Sequence, residues 1–220
     1  MLSVLNQDYP FKEYIVIDGG STDGSIDIIR KYESLLAYWV SEPDKGIFDA
    51  MNKGIARCSG DLIGILNADD WYEYEILNEV ANRYVETSGS QVIHGMMRNF
   101  QTDEFYNITG NSILRLRYDM IQHPTCFVPK KIYETYGHFD SHYNYSGDYD
   151  LIMRFVKSGV VFSFIEKVLV NFRLGGASSK SQADVEMWKV RMKYGLISQM
   201  EGWIRLSMIP IKTILKKILK

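Results

Sequence analysis

Three stretches of the chain carry carboxylates in patterns that could do chemistry. The first is Asp69-Asp70, which follows Gly60-Asp61 and the apolar run Leu62-Ile63-Gly64-Ile65-Leu66, then Asn67-Ala68. Adjacent like charges raise one another's pKa unless a cation sits between them. Their oxygen ligands suit Mg²⁺ or Mn²⁺. A pair capping a helix that begins near Glu73 is the competing reading, since Asp is a good N-cap. The second stretch is Asp18 with Gly19-Gly20-Ser21-Thr22-Asp23-Gly24. Glycines permit a tight turn close to a ligand, and Ser21, Thr22 or Asp23 can cap the helix that follows. A strand, a Gly-rich turn and a helix N-terminus together suggest a phosphate or nucleotide site. This is neither the Gly-x-Gly-x-x-Gly fingerprint nor a Walker loop, and a plain connection with Asp18 as turn former is the alternative. The third is Gly147-Asp148-Tyr149-Asp150, with two acids in the first turn of a helix, where the dipole favours the charged form. Acids placed there for helix stability compete with a catalytic role.

The elements that must position these groups follow from hydropathy. Tyr14 to Ile17 and Asp61 to Leu66 are apolar runs bounded by turn residues, which read as strands buried on both faces. Such strands belong to parallel α/β sheets, which bind ligands at the carboxyl ends of their strands. Asp18, Asp69 and Asp70 lie at those ends. Leu36 to Val40 predicts another strand. Ile47 to Ala56 predicts a short helix with Ile47, Met51 and Ile55 on one face, leaving Asp49, Asn52 and Lys53 free to face a ligand. A helix is expected over Glu73 to Glu86, and strands over Gln91 to Met97 and Glu104 to Ile108. Ile121 to Val128 is strand-like but contains His123. Lys130 to Tyr136 is a helix closed by Gly137, and an aromatic-rich loop of the kind that lines a sugar site runs from Phe139 to Ser146. Val160 to Ile165 and Leu169 to Phe172 read as two strands, with Arg173 to Ser179 a loop able to bind an anion. Gln182 to Met200 reads as helix.

Length and charge narrow the function classes. The 220 residues suffice for one substantial α/β domain. A net charge of −2 gives no case for nucleic-acid binding. The two cysteines, Cys58 and Cys126, form neither a metal pattern nor a disulfide framework and suit a reducing cytoplasm. There is no signal peptide and no apolar run of spanning length. Residues 203–220 carry Arg205, Lys212, Lys216, Lys217 and Lys220 and no acid. Ile204, Met208, Ile211, Leu215 and Ile218 share one face of the helix expected there, and Pro210 should kink it. A basic amphipathic helix reads as a peripheral membrane contact, with packing on the domain or on a second subunit as the alternative.

Taken in order, several motifs resemble the family-2 inverting glycosyltransferases. They are Leu5-Asn6-Gln7-Asp8-Tyr9-Pro10, Tyr14 through Ser25, Asp44 through Gly54, Gly60 through Asp70, His123-Pro124-Thr125-Cys126-Phe127, Gly137-His138-Phe139-Asp140 and Asp148-Tyr149-Asp150-Leu151. The branch most similar builds bacterial exopolysaccharides such as colanic acid. The resemblance implies a GT-A fold, a Rossmann-like mixed α/β sheet flanked by helices, over residues 1–180, with helices over 181–220. It implies that the family's first strand is absent ahead of Met1.

The resemblance also assigns roles. Asp148 matches the catalytic base. Asp18 would contact the nucleotide, with Gly20, Ser21 and Asp23 in its turn. Asp44, Lys45, Asp49 and Asn52 would line the donor pocket, and His123 is a further substrate-binding candidate. Asn67-Ala68-Asp69 stands where the family carries Asp-x-Asp, so Asp69, with Asp70, would hold Mn²⁺ or Mg²⁺ on the donor diphosphate; Asn67, a substrate-binding candidate, departs from the usual first Asp. The implied partners are a nucleotide-sugar donor and a glycan or lipid-linked acceptor at the cytoplasmic face of the membrane. A truncated, non-catalytic binding remnant is the alternative, and a nucleotidyltransferase ranks below both because its basic Gly-rich start is missing.

Overall fold

The computed structural model describes residues 1–176 and 181–218, with the side chains of 211–218 outside the description. The chain opens with a short helix α1 (Leu2–Leu5), then strand β1 (Ile15–Asp18), helix α2 (Ser25–Lys31), strand β2 (Tyr38–Ser41) and helix α3 (Ile47–Arg57). Strands β3 (Leu62–Gly64) and β4 (Trp71–Tyr72) precede helix α4 (Ile76–Glu86). The hairpin β5 (Val92–Gln101) and β6 (Glu104–Thr109) comes next, then β7 (Phe127–Pro129), α5 (Lys130–Tyr136), α6 (Gly147–Lys157), β8 (Phe162–Arg173), α7 (Ser181–Lys193) and α8 (Gln199–Ile218).

The strands form two sheets. β1 and β2 pair in parallel. The larger sheet runs β3-β7-β5-β8-β4, with β6 added on β5. Its backbone is the parallel pair β5 and β8, whose apolar residues are divided between two hydrophobic clusters, Val92 and Phe162 in one and Ile93, Met97, Ile165, Leu169 and Val170 in the other. The two sheets do not join. Between β1 and β3 lies a trough of about 700 Å³ bordered by Ile15, Ile17, Ile47, Leu62, Leu66 and Asp69. Each of these two strands has one neighbour, β2 for β1 and β7 for β3, and among the described residues no strand bridges the space between. Helix α3 links the sheets: a Cβ at its Gly54 would lie 3.5 Å from Ile17, and its Ile55 shares a core cluster with Ile63.

The trough explains where the strand expectations depart from the structure. Ile15, Val16 and Ile17 are only half-buried, and β3 is three residues long with Ile63 alone fully buried. Both strands were expected to be covered on two faces; each lacks a neighbour on one edge. Three other segments differ. His123–Thr125 is a single 3₁₀ turn, with Pro124 near its start, and the strand begins only at Phe127. The two expected strands after Val160 are one, β8, whose parallel register with β5 slips near Gly95. Trp71–Tyr72 is a strand against β8, so α4 starts at Ile76 rather than Glu73, with Glu75 before it at φ 57°. Asp69 and Asp70 therefore do not cap that helix. Helix α7 ends at Lys193, a turn follows, and α8 begins at Gln199 and continues through Pro210. Through Val190, α7 enters the main core with Ile121, Tyr149, Leu151 and Phe155.

Candidate active site

The site is assembled around the N-terminal end of α3. On one side stands the turn after β1. Asp18 is buried, and its carboxylate accepts from the backbone N–H groups of Gly20 and Ser21 at 3.0 and 2.9 Å. It also accepts from the hydroxyls of Ser21 and Ser41. These donors, the Ser21 and Ser41 hydroxyls foremost, hold its carboxyl down at about 2. Asp18 is thus a permanently ionised knot that shapes the Gly19–Ser21 turn and ties it to β2. The Asp44 carboxylate lies against Gly19, where any Cβ would collide with it. Asp44 accepts from Gly46 N–H at 2.8 Å, and Asp49 from Lys45 N–H at 3.1 Å. Lys53 bridges Glu42 at 2.9 Å and Asp49 at 3.5 Å. The residues expected at 18, 20, 21, 44, 45 and 49 therefore do meet in one cluster. Asp23 lies just beyond, where its carboxylate accepts from the Ser25 N–H and hydroxyl at the start of α2.

On the other side stands the first turn of α6. Gly147 packs so closely on Phe48 of α3 that a Cβ would approach its ring to 2.8 Å. Asp148 follows directly. It is half-buried, and among the described residues its one hydrogen bond comes from the adjacent Tyr149 N–H at 2.8 Å. Burial pushes its carboxyl up to about 6, with the charge of Glu186 a smaller contribution in the same direction. A carboxylate poised near neutral pH and free of strong donors is suited to take a proton.

Two expected binding residues serve the scaffold. Asn52 donates its amide to the Phe139 carbonyl at 2.9 Å and accepts from the Phe139 N–H at 3.0 Å. Its helix position left it off the apolar stripe, but both halves of its amide are engaged by the backbone. His123 is buried, edge-on to Phe139 at 5.2 Å between centroids, and burial drops its pKa to about 4, so it is neutral. Phe139 in turn stacks on Phe48 at 5.5 Å. Asn52 and His123 thereby fix the loop that leads to α6.

Asp69 and Asp70 separate in environment. Asp70 is buried and accepts from Arg173 N–H at 3.1 Å and from the Asn67 amide at 3.0 Å. Burial raises its carboxyl to about 6. Asn67 thus pins Asp70, and Asp70 anchors the loop to the end of β8. Asp69 is exposed at the rim of the trough, near Ile17 and Ile47, with no hydrogen-bond partner for its carboxylate among the described residues. Among those residues no group of three or more His, Cys, Asp or Glu gathers to hold an ion by itself. One free carboxylate fits a cation that is mostly coordinated by substrate phosphates and water.

Sequence reasoning missed Glu186. From α7 its carboxylate accepts from the N–H groups of Asn144, Tyr145 and Ser146 at 3.0, 2.8 and 2.9 Å. Its only sequence signal is a shared helix face with Val190 and Lys193, which does not distinguish it from a solvated acid. The expected anion loop from Arg173 to Ser179 lies partly outside the described residues.

Comparison with known proteins places this arrangement. The glycosyl transferase family 2 model matches residues 1–145. A PGL/p-HBAD biosynthesis glycosyltransferase of Mycobacterium bovis (strain BCG / Pasteur 1173P2) is 29% identical over 188 residues, covering 80% of this chain and 71% of that protein. An uncharacterized glycosyltransferase of Mycobacterium tuberculosis is 53% identical over 58 residues, only 26% of this chain and 22% of that protein. The crystal structure of S. aureus TarS 1–349 with UDP superposes with a TM-score of 0.68 at 17% identity, covering 94% of this chain. The complex of TarS with UDP-GlcNAc gives 0.68 at 15%. The chain spans 64% of the first TarS structure. The fold is GT-A, a mixed α/β sheet flanked by helices, and the chain belongs to glycosyl transferase family 2.

Proposed function

We propose that the protein transfers a sugar, with inversion, from a nucleotide-diphospho-sugar to a glycan or lipid-linked acceptor in bacterial surface-polysaccharide synthesis of the colanic-acid type. The observation that carries this reading is Asp148: a half-buried carboxylate raised to about 6, without competing donors, set against the N-terminal end of α3. In a single in-line displacement the acceptor oxygen bonds to the anomeric carbon as the bond to the nucleoside diphosphate breaks. The acceptor hydroxyl proton passes to Asp148. The Asp18 turn and the Asp44–Asp49 segment form the donor side, facing the nucleotide. The structural neighbours crystallised with UDP and UDP-GlcNAc support a donor of that class. Asp69, with Asp70 behind it, would hold Mn²⁺ or Mg²⁺, and such an ion when bound offsets the charge of the leaving diphosphate.

No helix among the described residues is long and apolar enough to cross a membrane. Helix α8 exposes Met200, Trp203, Ile204 and Met208, which supports peripheral contact with the inner membrane face; its lysines from Lys212 onward lie outside the described side chains.

The trough between β1 and β3 favours a second reading, a protein that binds a nucleotide or a partner without turnover. A donor screen separates the two readings. The first predicts nucleotide release from UDP-GlcNAc or another nucleotide sugar that needs Mn²⁺ or Mg²⁺ and is lost in Asp69→Ala. Folded protein that cleaves no donor but still binds a nucleotide or a partner protein supports the second.

A further inference from the structure

The turn that carries Asp148 is held from outside, by a helix beyond the stretch that matches the family model. Glu186, near the middle of α7, receives three consecutive backbone N–H groups, those of Asn144, Tyr145 and Ser146. Three successive amides converging on one carboxylate fix a backbone segment far more tightly than a single capping bond. Ser146 adds a hydroxyl bond to the Ala183 carbonyl at 3.4 Å and is the residue from which α6 starts. Asp148 lies two residues further on.

The far end of α7 grips the same turn. Lys193 donates to buried Asp150 at 2.7 Å, as do Tyr194 at 3.0 Å and Tyr143 at 3.2 Å, and Arg154 lies 3.6 Å from its other oxygen. Arg191 donates to the Tyr149 hydroxyl at 3.3 Å. Residues 144–146, 149 and 150 are each tied to α7 or the residue after it, while the side chain of Asp148 accepts, among the described residues, from the adjacent Tyr149 N–H alone. That is the distribution of restraints needed to aim one side chain without blocking it.

We propose that Glu186 is the positioning residue for Asp148: it sets where the first turn of α6 begins. Two titratable groups reach Asp148 electrostatically from packed elements, Glu186 on α7 and the Cys126 thiol before β7. Burial pushes that thiol far above its usual range, so it is uncharged at neutral pH. The α3 residue packed on the adjacent Gly147 is the uncharged Phe48. Among the described residues, Glu186 is thus the charged neighbour whose removal should lower the proton affinity of Asp148.

This inference rests on Asp148 acting as base, and its test reads positioning apart from turnover. In Glu186→Gln, one donor-bearing nitrogen replaces an acceptor facing three N–H groups. Amide exchange at 144–146 should speed at least tenfold, and the Asp148 carboxyl, followed by ¹³C NMR, should titrate at lower pH. With UDP-GlcNAc or whichever donor is turned over, kcat should fall about tenfold or more while KM for the donor stays within twofold. Glu186→Asp, which keeps the charge, should restore the titration midpoint. Unchanged exchange and an unchanged Asp148 midpoint would overturn the proposal. So would a lowered melting temperature with kcat and the midpoint intact, which is the signature of a purely structural tie. If wild-type protein turns over no donor, the assignment of Asp148 as base fails instead, while the exchange and titration data still decide the role of Glu186.

Discussion

The turn after β1 and the first turn of α6, on either side of the N-terminal end of α3, each present an aspartate, in opposite states. Asp18 is surrounded by N–H and O–H donors and held ionised at about 2. Asp148 has one neighbouring amide and is pushed up to about 6 by burial. The contrast shows how one residue type is made structural or reactive. Donors supplied by the turn remove basicity, whereas burial without donors preserves it. The scaffolds differ accordingly. The Asp18 side is a two-stranded sheet beside an open trough, and the Asp148 side is packed into the main core through Tyr149, Leu151 and Ile152.

The largest expected effect comes from Asp148→Asn, which should cut transfer by about 10²–10⁴-fold, the usual worth of a general base, with the circular dichroism spectrum unchanged. Asp18→Asn should leave four donors facing a weaker acceptor and lower unfolding stability by about 1–3 kcal/mol at pH 7. The two aspartates should differ in sign as pH changes. Asp18 lies below its unfolded value near 3.9, so its contribution is present above about pH 4 and is lost as pH falls toward 2. Asp148 lies above that value, so stability is fullest below about pH 4 and declines as pH rises through 6. Melting curves should therefore show Asp148→Asn above wild type at pH 7.5 and level with it at pH 4, and Asp18→Asn below wild type at pH 7.5 with the gap closing in acid. The smallest effect should be that of Asn52→Ala, about 1–2 kcal/mol by denaturant titration, since it releases two bonds to Phe139. It should weaken turnover only by loosening the loop ahead of α6.

Local patterns in the sequence carried much of this. The strand ending at Asp18, the turn after it, helix α3 and the first turn of α6 all announce themselves through apolar periodicity followed by Gly and Asp. What was hidden depends on contacts distant in sequence. Trp71 and Tyr72 form a strand only because β8 offers them an edge, so the residues before α4 read as helix when taken alone. Residues 162–173 look like two strands because polar Glu166 and Lys167 interrupt the apolar run, yet pairing with β5 carries the strand across the break. Asn52 reads as free to face a ligand because it lies off the apolar stripe of its helix, and Asn67 through its place in the family motif, yet each also bonds another part of the chain, Phe139 and Asp70. Glu186 acts 38 positions after Asp148, beyond the reach of any local pattern.

The central claim is that Asp148 accepts the proton of the acceptor. The most direct measurement is the pH dependence of kcat in wild-type protein, with a saturating nucleotide sugar and acceptor, between pH 4.5 and 8. The predicted result is a rise with a single acidic limb centred near pH 6, absent from the residual rate of Asp148→Asn. A rate that stays level across that range, or a limb that persists after the substitution, would contradict it.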